Sequence, residues 1–293
     1  MEQETIAAVL AIGAAFFIAV SDVIHQRSAR QVGQGEIGLA TLFGLLLADP
    51  RWWIGTVSGA LGFVLQAAAL GLGSVLMVTS LMVTSLLFAL PLGARQSGQR
   101  LSRSVWVWSV LLAVSATVIN TVGHPTEGQD RASLHTWAVV VLVLGPVMLA
   151  CLAAARAVPG TAAAAVLLAV VSAILWGAFA VLTKGMDELI GHGIRALLTA
   201  PEFYGWAAAA LAGTVIQQAS FRAGALTASL PTMTVVEPVV AATLGVVLLG
   251  EVLQPGREGV VILVLAVAVL IVAVAVLSRS EAAVTAEPAS SSA

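Results

Sequence analysis

The chain has 293 residues, 59% hydrophobic and 10% charged, with a net charge of −2 and a mean hydropathy of +1.02. Globular domains carry about 25% charged residues, so this composition excludes a soluble globule and points to a polytopic membrane protein. Its 13 lysines and arginines are scattered, which leaves no electrostatic footprint for nucleic acid.

A helical span needs roughly 20 apolar residues to cross about 30 Å of hydrocarbon. Such runs predict nine spans, at 5–24, 53–72, 74–92, 105–121, 135–157, 162–184, 204–223, 226–249 and 258–278, in an all-α fold. The first five residues, MEQET, are acidic and lack an A-x-A site, so no cleaved signal peptide is expected. Asp22 lies near the end of the first span, beside Ser21 and three residues from His25. It is either an ion or substrate contact at a gate, or a snorkelling end residue paired with His25 or Arg27. Residues 37–48 are too short to cross as a helix.

The second span carries Gly55, Gly59 and Gly62, which permit close helix approach, and Gln66 well inside it. The third holds Thr79, Ser80, Thr84 and Ser85, a polar cluster that either lines a cavity or bonds back to its own helix. Asn120 and Lys184 fall near span ends and read as anchors. Cys151 is the single cysteine, so no intrachain disulfide forms, and the four histidines (25, 124, 135, 192) are far apart in sequence. No metal-ligand spacing, Walker motif or Ser-His-Asp set is present, so neither a metal site, a cofactor nor an enzymatic activity is expected. Six tryptophans lie near span starts, as an interfacial belt requires. Trp176 sits deeper and either lines a cavity or packs between helices.

Residues 186–202 carry Asp187, Glu188, His192, Arg195 and Glu202 among apolar residues at helical spacing, which predicts an amphipathic helix in the interface. Gln217 and Gln218 lie inside the next span. Then comes the stretch with Glu237, Pro231 and Pro238 in an otherwise apolar run. A carboxylate in hydrocarbon costs roughly 2.5–3.5 kcal/mol on insertion scales. Glu237 must therefore face a cavity, a partner or a substrate, or sit protonated. It reads either as a protonatable group coupling proton to solute movement, or as a hydrogen-bonded glutamate pinning a proline kink. Ser229, Met233 and Thr234 lie near it on the helix. Pro231 and Pro238 each remove a helical N–H and are candidate hinges. The last span has no internal polar residue and reads as lipid-facing and peripheral; the tail 279–293 reads as disordered.

With nine spans and the N-terminus outside, nine basic residues are cytoplasmic and four (Arg131, Lys184, Arg195, Arg257) are outside, as the positive-inside rule demands. The C-terminus is then cytoplasmic, and the expected location is a cell (inner) membrane.

The chain also repeats. Residues 11–29 align with 169–187, and 61–93 with 212–244, so that Gln66 meets Gln217 and Gly73 meets Gly224. This gives a first repeat (1–121), a linking loop and extra helix (122–161), a second repeat (162–278) and the tail (279–293). Five spans precede the second repeat, so it enters in the opposite sense, as in inverted-repeat transporters. Glu237 aligns with Leu86 and Pro231 with Ser80, so in this reading the second half alone carries the charge and the paired kinks.

The ordered motifs WG…K (Trp176, Gly177, Lys184), LP…EPVVA (Leu230, Pro231, Glu237 to Ala241), LLGE (Leu248 to Glu251) and LPLG (90–93) resemble the drug/metabolite transporter superfamily of the EamA type. The nine-span pattern with an extra linking helix is similar to its NIPA-like branch. One departure is Gln99, where the first repeat of that type often closes with GE. The resemblance implies a permease for a small solute working by alternating access, and through the NIPA-like branch an association with magnesium. A Mg²⁺ site would want one or two carboxylates. Asp22 and Glu237 lie near different ends of their helices and supply two only if they converge. The remaining alternative is a non-transporting membrane partner. The partners expected are the bilayer, a small solute or ion and no nucleic acid, with a homodimer left open.

Overall fold

The computed structural model describes residues 2–31, 48–97, 101–126, 128–223, 226–255 and 259–286. Apolar runs without strand alternation give eleven helices there: α1 (Glu2–Gln31), α2 (Pro50–Leu72), α3 (Val75–Met82), α4 (Ser85–Ser97), α5 (Arg103–Gly123), α6 (Leu134–Ala157), α7 (Ala162–Gly191), α8 (Ile194–Thr199), α9 (Pro201–Ala223), α10 (Leu226–Leu249) and α11 (Gly259–Ala286). Side-chain caps set the starts. Asp49 accepts from Arg51 N ahead of Pro50, and Ser102, Ser133 and Thr161 cap α5, α6 and α7. Two short strands, β1 (Pro125–Thr126) and β2 (Val252–Leu253), pair antiparallel beyond the ends of α5 and α10.

Eight helical segments among the described residues are long and apolar enough to cross a membrane, α3 and α4 together counting as one. The fold is an all-α polytopic membrane architecture. Of the nine expected spans, the one outside this set is α9, whose 23 residues include Glu202, Gln217 and Gln218.

Glycines let α1 and α2 lie close and antiparallel: Gly55 meets His25, Gly59 meets Ser21, Gly62 meets Ile18 and Ala14, and Gly73 meets Ala7. The α7–α9 pair repeats this arrangement. Ser172 Oγ donates to Gly213 O at 3.0 Å, Ser220 Oγ to Ala165 O at 2.8 Å, and Trp206 Nε1 to Thr183 Oγ1 at 3.0 Å. Gly213 also meets Trp176, so Gly62 with Ala14 and Ile18 corresponds to Gly213 with Ser172 and Trp176, in the register of the sequence alignment. Between the halves, Phe63 stacks on Trp176, and Lys184 Nζ donates to Gly73 O at 2.9 Å. Both contacts advance in the same direction, so α2 and α7 are parallel and α1 runs opposite to α7. That is the inverted relation that the parity of the spans requires.

Several expectations are corrected. Residues 186–202 do not form one amphipathic helix. Residues 186–191 extend α7, and Gly193, at φ 93°, separates it from the short α8. The third span is interrupted at Val83–Thr84, where N–H groups bond three residues back, whereas α10 stays helical through Pro231 and Pro238. The interruption thus falls in the half that lacks the Pro231–Pro238 pair. The tail begins as helix, since α11 continues through Ala286; residues 287–293 lie outside the described residues. α11 is not wholly peripheral, because Ala273, Val274 and Leu277 pack with Leu90 and Leu112. The most exposed long helix is α6, with only Ala155 buried. The short segment 37–48 falls almost entirely outside the described residues, as does Gln99.

The α1–α2 contact makes a direct prediction. A Cβ on Gly62 would sit 2.7 Å from Ile18 Cγ1, 3.1 Å from Ile18 N and 3.2 Å from Ala14 O. Backbone atoms of a packed helix cannot step aside, so Gly62→Val costs about 1–3 kcal/mol. Gly145→Ala, with nothing within 4 Å of its Cβ position, is expected to be neutral or stabilising. Melting curves of the purified protein in detergent check both; equal melting temperatures for Gly62→Val and wild type would contradict the packing described.

Candidate functional site

Where α1, α2, α3, α4, α7, α9 and α10 meet, they enclose a cavity of about 230 Å³. Its walls are assembled from repeat-related positions. Ile18 and Trp176 face it from α1 and α7, and Gln66 and Gln217 from α2 and α9. Met82 and Met233, and Leu86 and Glu237, face it from α3–α4 and α10. Asp22 and its counterpart Ala180 complete the pattern.

Asp22 and Glu237 therefore share one cavity. This overturns the reading in which the second half alone carries the charge. Each half contributes one carboxyl, from non-equivalent positions. Asp22 is exposed to the cavity and does not pair with His25. His25 Nε2 lies 3.3 Å from both Trp52 O and Thr56 Oγ1, with its ring stacked on Trp52. The side chain of Arg27, the other proposed partner, lies outside the described residues.

The remaining candidates divide. Gln66, Gln217, Gln218, Thr79, Trp176, Thr234 and Pro238 all line the cavity. Trp176 stacks on Phe63 with ring centroids 5.5 Å apart, meets Phe179 edge-on, and leaves its buried Nε1 without a partner. Thr79 spends its hydroxyl on Val75 O at 2.7 Å, so it offers the cavity little beyond a methyl group. Thr84 bonds back to Leu81 O at 2.6 Å and is not part of the wall. Ser229 is fully buried away from the cavity, its hydroxyl without a partner among the described residues. The side chain of Pro231 lies outside the described residues.

Two residues read as anchors are structural links. Lys184 is 3% exposed and bonds Gly73 O across the halves, and Asn120 Nδ2 donates to Ser80 Oγ at 2.9 Å. Sequence reasoning missed Ile18, Met82, Leu86 and Ala180 as wall residues. Reflecting Trp176, Glu237 and Asp22 through the repeat alignment finds Ile18, Leu86 and Ala180, and Met82 is the counterpart of Met233. Phe63 has no such signal. Among the described residues no group of three or more His, Cys, Asp or Glu side chains is placed to hold a metal.

The fold and the site together define an all-α polytopic membrane protein built around a polar cavity between two inverted halves. No family model matches the chain, and no solved structure matches it. It is 37% identical over 256 residues, 87% of this chain and 88% of the relative, to an uncharacterized protein of Corynebacterium glutamicum. The chain belongs to the same family as that protein.

Cysteine accessibility tests the cavity. In a Cys151→Ser background, Ala180→Cys is expected to react with a small polar thiol reagent. Ala173→Cys, at a fully buried position off the wall, is expected to react far more slowly. Equal protection of both would mean that the cavity is closed to water.

Proposed function

We propose that the protein is a secondary transporter of the drug/metabolite, EamA-like type, moving a small solute by alternating access between its two halves. The observation that carries this reading is the cavity itself. It lies between inverted halves, its walls come from equivalent positions of both, and its only carboxyls among the described residues come from non-equivalent positions. Intramembrane acids facing a cavity mark ion and substrate pathways. Nine crossings, with α9 as the ninth, an outside N-terminus and a cytoplasmic C-terminus complete the proposal. The charge distribution and the parity of the repeats support that topology.

The ends of α2, α5, α7 and α10 meet at one end of the bundle. Glu251, Lys184 and the Arg131–Glu202 pair close them together there. In the proposed topology this is the outer end, so the structure corresponds to a form closed toward the outside. Glu237 is the proposed proton-coupling group.

The test is flux in liposomes holding the purified protein, with a solute panel and an imposed pH gradient. Solute movement is expected to follow the gradient, and Glu237→Gln is expected to abolish that dependence. Proton-driven flux surviving in Glu237→Gln would remove the coupling role. A second reading, a divalent-cation permease, gains one observation, the convergence of Asp22 and Glu237, since Mg²⁺ keeps its waters and uses one or two carboxylates. Under that reading the wild-type chain, but not Asp22→Asn, rescues a magnesium-dependent growth defect.

A further inference from the structure

Among the described residues the cavity wall contains two carboxyls, the His25 imidazole and no lysine or arginine. Neither Asp22 nor Glu237 makes a hydrogen bond or ion pair with any described residue, and both face the same cavity. Such a wall concentrates cations and turns away anions. A second observation points to a ligand with hydrogen-bonding groups. Gln66 is 8% exposed, faces the cavity and makes no hydrogen bond with a described residue. An amide that faces the cavity without a protein partner offers both a donor and an acceptor to whatever fills it.

The rest of the wall argues against a bare metal ion. Beside the acids stand the Phe63–Trp176 stack and the Met82 and Met233 side chains, an apolar, polarizable surface that a tightly hydrated divalent ion does not use. Aromatic rings of this kind do hold organic cations. The space, about 230 Å³, equals some seven waters at roughly 30 Å³ each, enough for a small organic molecule.

We propose that the cargo is a small organic monocation, a protonated amine with an apolar body. Its nitrogen lies between Asp22 and Glu237, its N–H groups meet the Gln66 and Gln217 amides, and its body lies along Phe63 and Trp176. This assignment rests on the transporter reading and names the substrate class of the same cavity.

Three near-isosteric probes differing in charge test it on the full-length protein in detergent, at one neutral pH, by calorimetric titration. They are phenethylamine, 2-phenylethanol and 3-phenylpropionate. Phenethylamine is expected to bind about tenfold or more tightly than either analogue, as a charge-assisted contact implies. Asp22→Asn and Glu237→Gln are each expected to remove most of that preference by weakening phenethylamine binding far more than 2-phenylethanol binding. Each variant is first checked for a wild-type melting temperature. If one acid variant fails to fold, the other and the charge series decide. Equal binding of the three probes, or undiminished preference for the amine in both variants, overturns the proposal. A cavity-filling Ala180→Leu variant separates the two levels. If it blocks liposomal flux of a neutral or zwitterionic solute while the amine does not bind, the cargo class is wrong and the transporter reading stands. If no solute class moves in the wild type and Ala180→Leu changes nothing, both fall.

Discussion

The first turn of α3 presents backbone N–H groups that no helical carbonyl can reach, and an unpaired N–H is costly in a membrane-embedded protein. All of them are satisfied, and mostly from the other half of the chain. Glu251 accepts from Val75 N at 2.6 Å and from Leu76 N at 2.9 Å, and Ser74 Oγ accepts from Met77 N at 3.1 Å. Burying Glu251 to 1% exposure is offset by these charge-assisted bonds and by the positive end of the helix dipole. The carboxylate fits because residue 245 is glycine; a Cβ there would lie 2.9 Å from Glu251 Oε2. On the other side of the same turn, Lys184 takes the Gly73 carbonyl.

That junction fixes the order of everything behind it. It sets the C-terminal ends of α2, α7 and α10 on one end of the bundle, where the β1–β2 ladder and the bond from Gln254 N to Gly123 O also lie. With α2 and α7 parallel and each paired antiparallel to its partner, α1 and α10 bring their mid-lengths to one central space. The acids of the two halves then meet without being symmetry mates. The wall elements α3–α4 and α10 differ, with a break at Val83–Thr84 in one and a continuous helix through Pro238 in the other.

Much of this was legible in the residues. Hydropathy located the spans, and the Gln66–Gln217 and Gly73–Gly224 registrations carried the repeat, because amides and glycines keep their places when Ala, Val and Leu drift. The carboxyls and amides of the cavity were legible as polar groups in apolar runs, where water or a partner must be found for them. What escaped were properties of contact. Whether Thr84 and Ser229 turn toward the cavity depends on rotamers and helix phase near a break, which spacing does not encode. The burial of Lys184 and Glu251 depends on a meeting of loops more than a hundred residues apart, as the separation of Val75 and Glu251 by 176 residues shows. Counting helix lengths placed Asp22 and Glu237 at different depths. The long α1, running to Gln31, brings Asp22 farther from its helix end than the expected span allowed.

The central claim is that one carboxyl from each inverted half faces the same cavity. Intramolecular cross-linking tests it most directly. Asp22→Cys and Glu237→Cys are combined in a Cys151→Ser background and treated with a short bifunctional thiol reagent in membranes. The account predicts a monomeric cross-linked product that each single-cysteine protein fails to give. Two cysteines that each react singly yet are never bridged would contradict it.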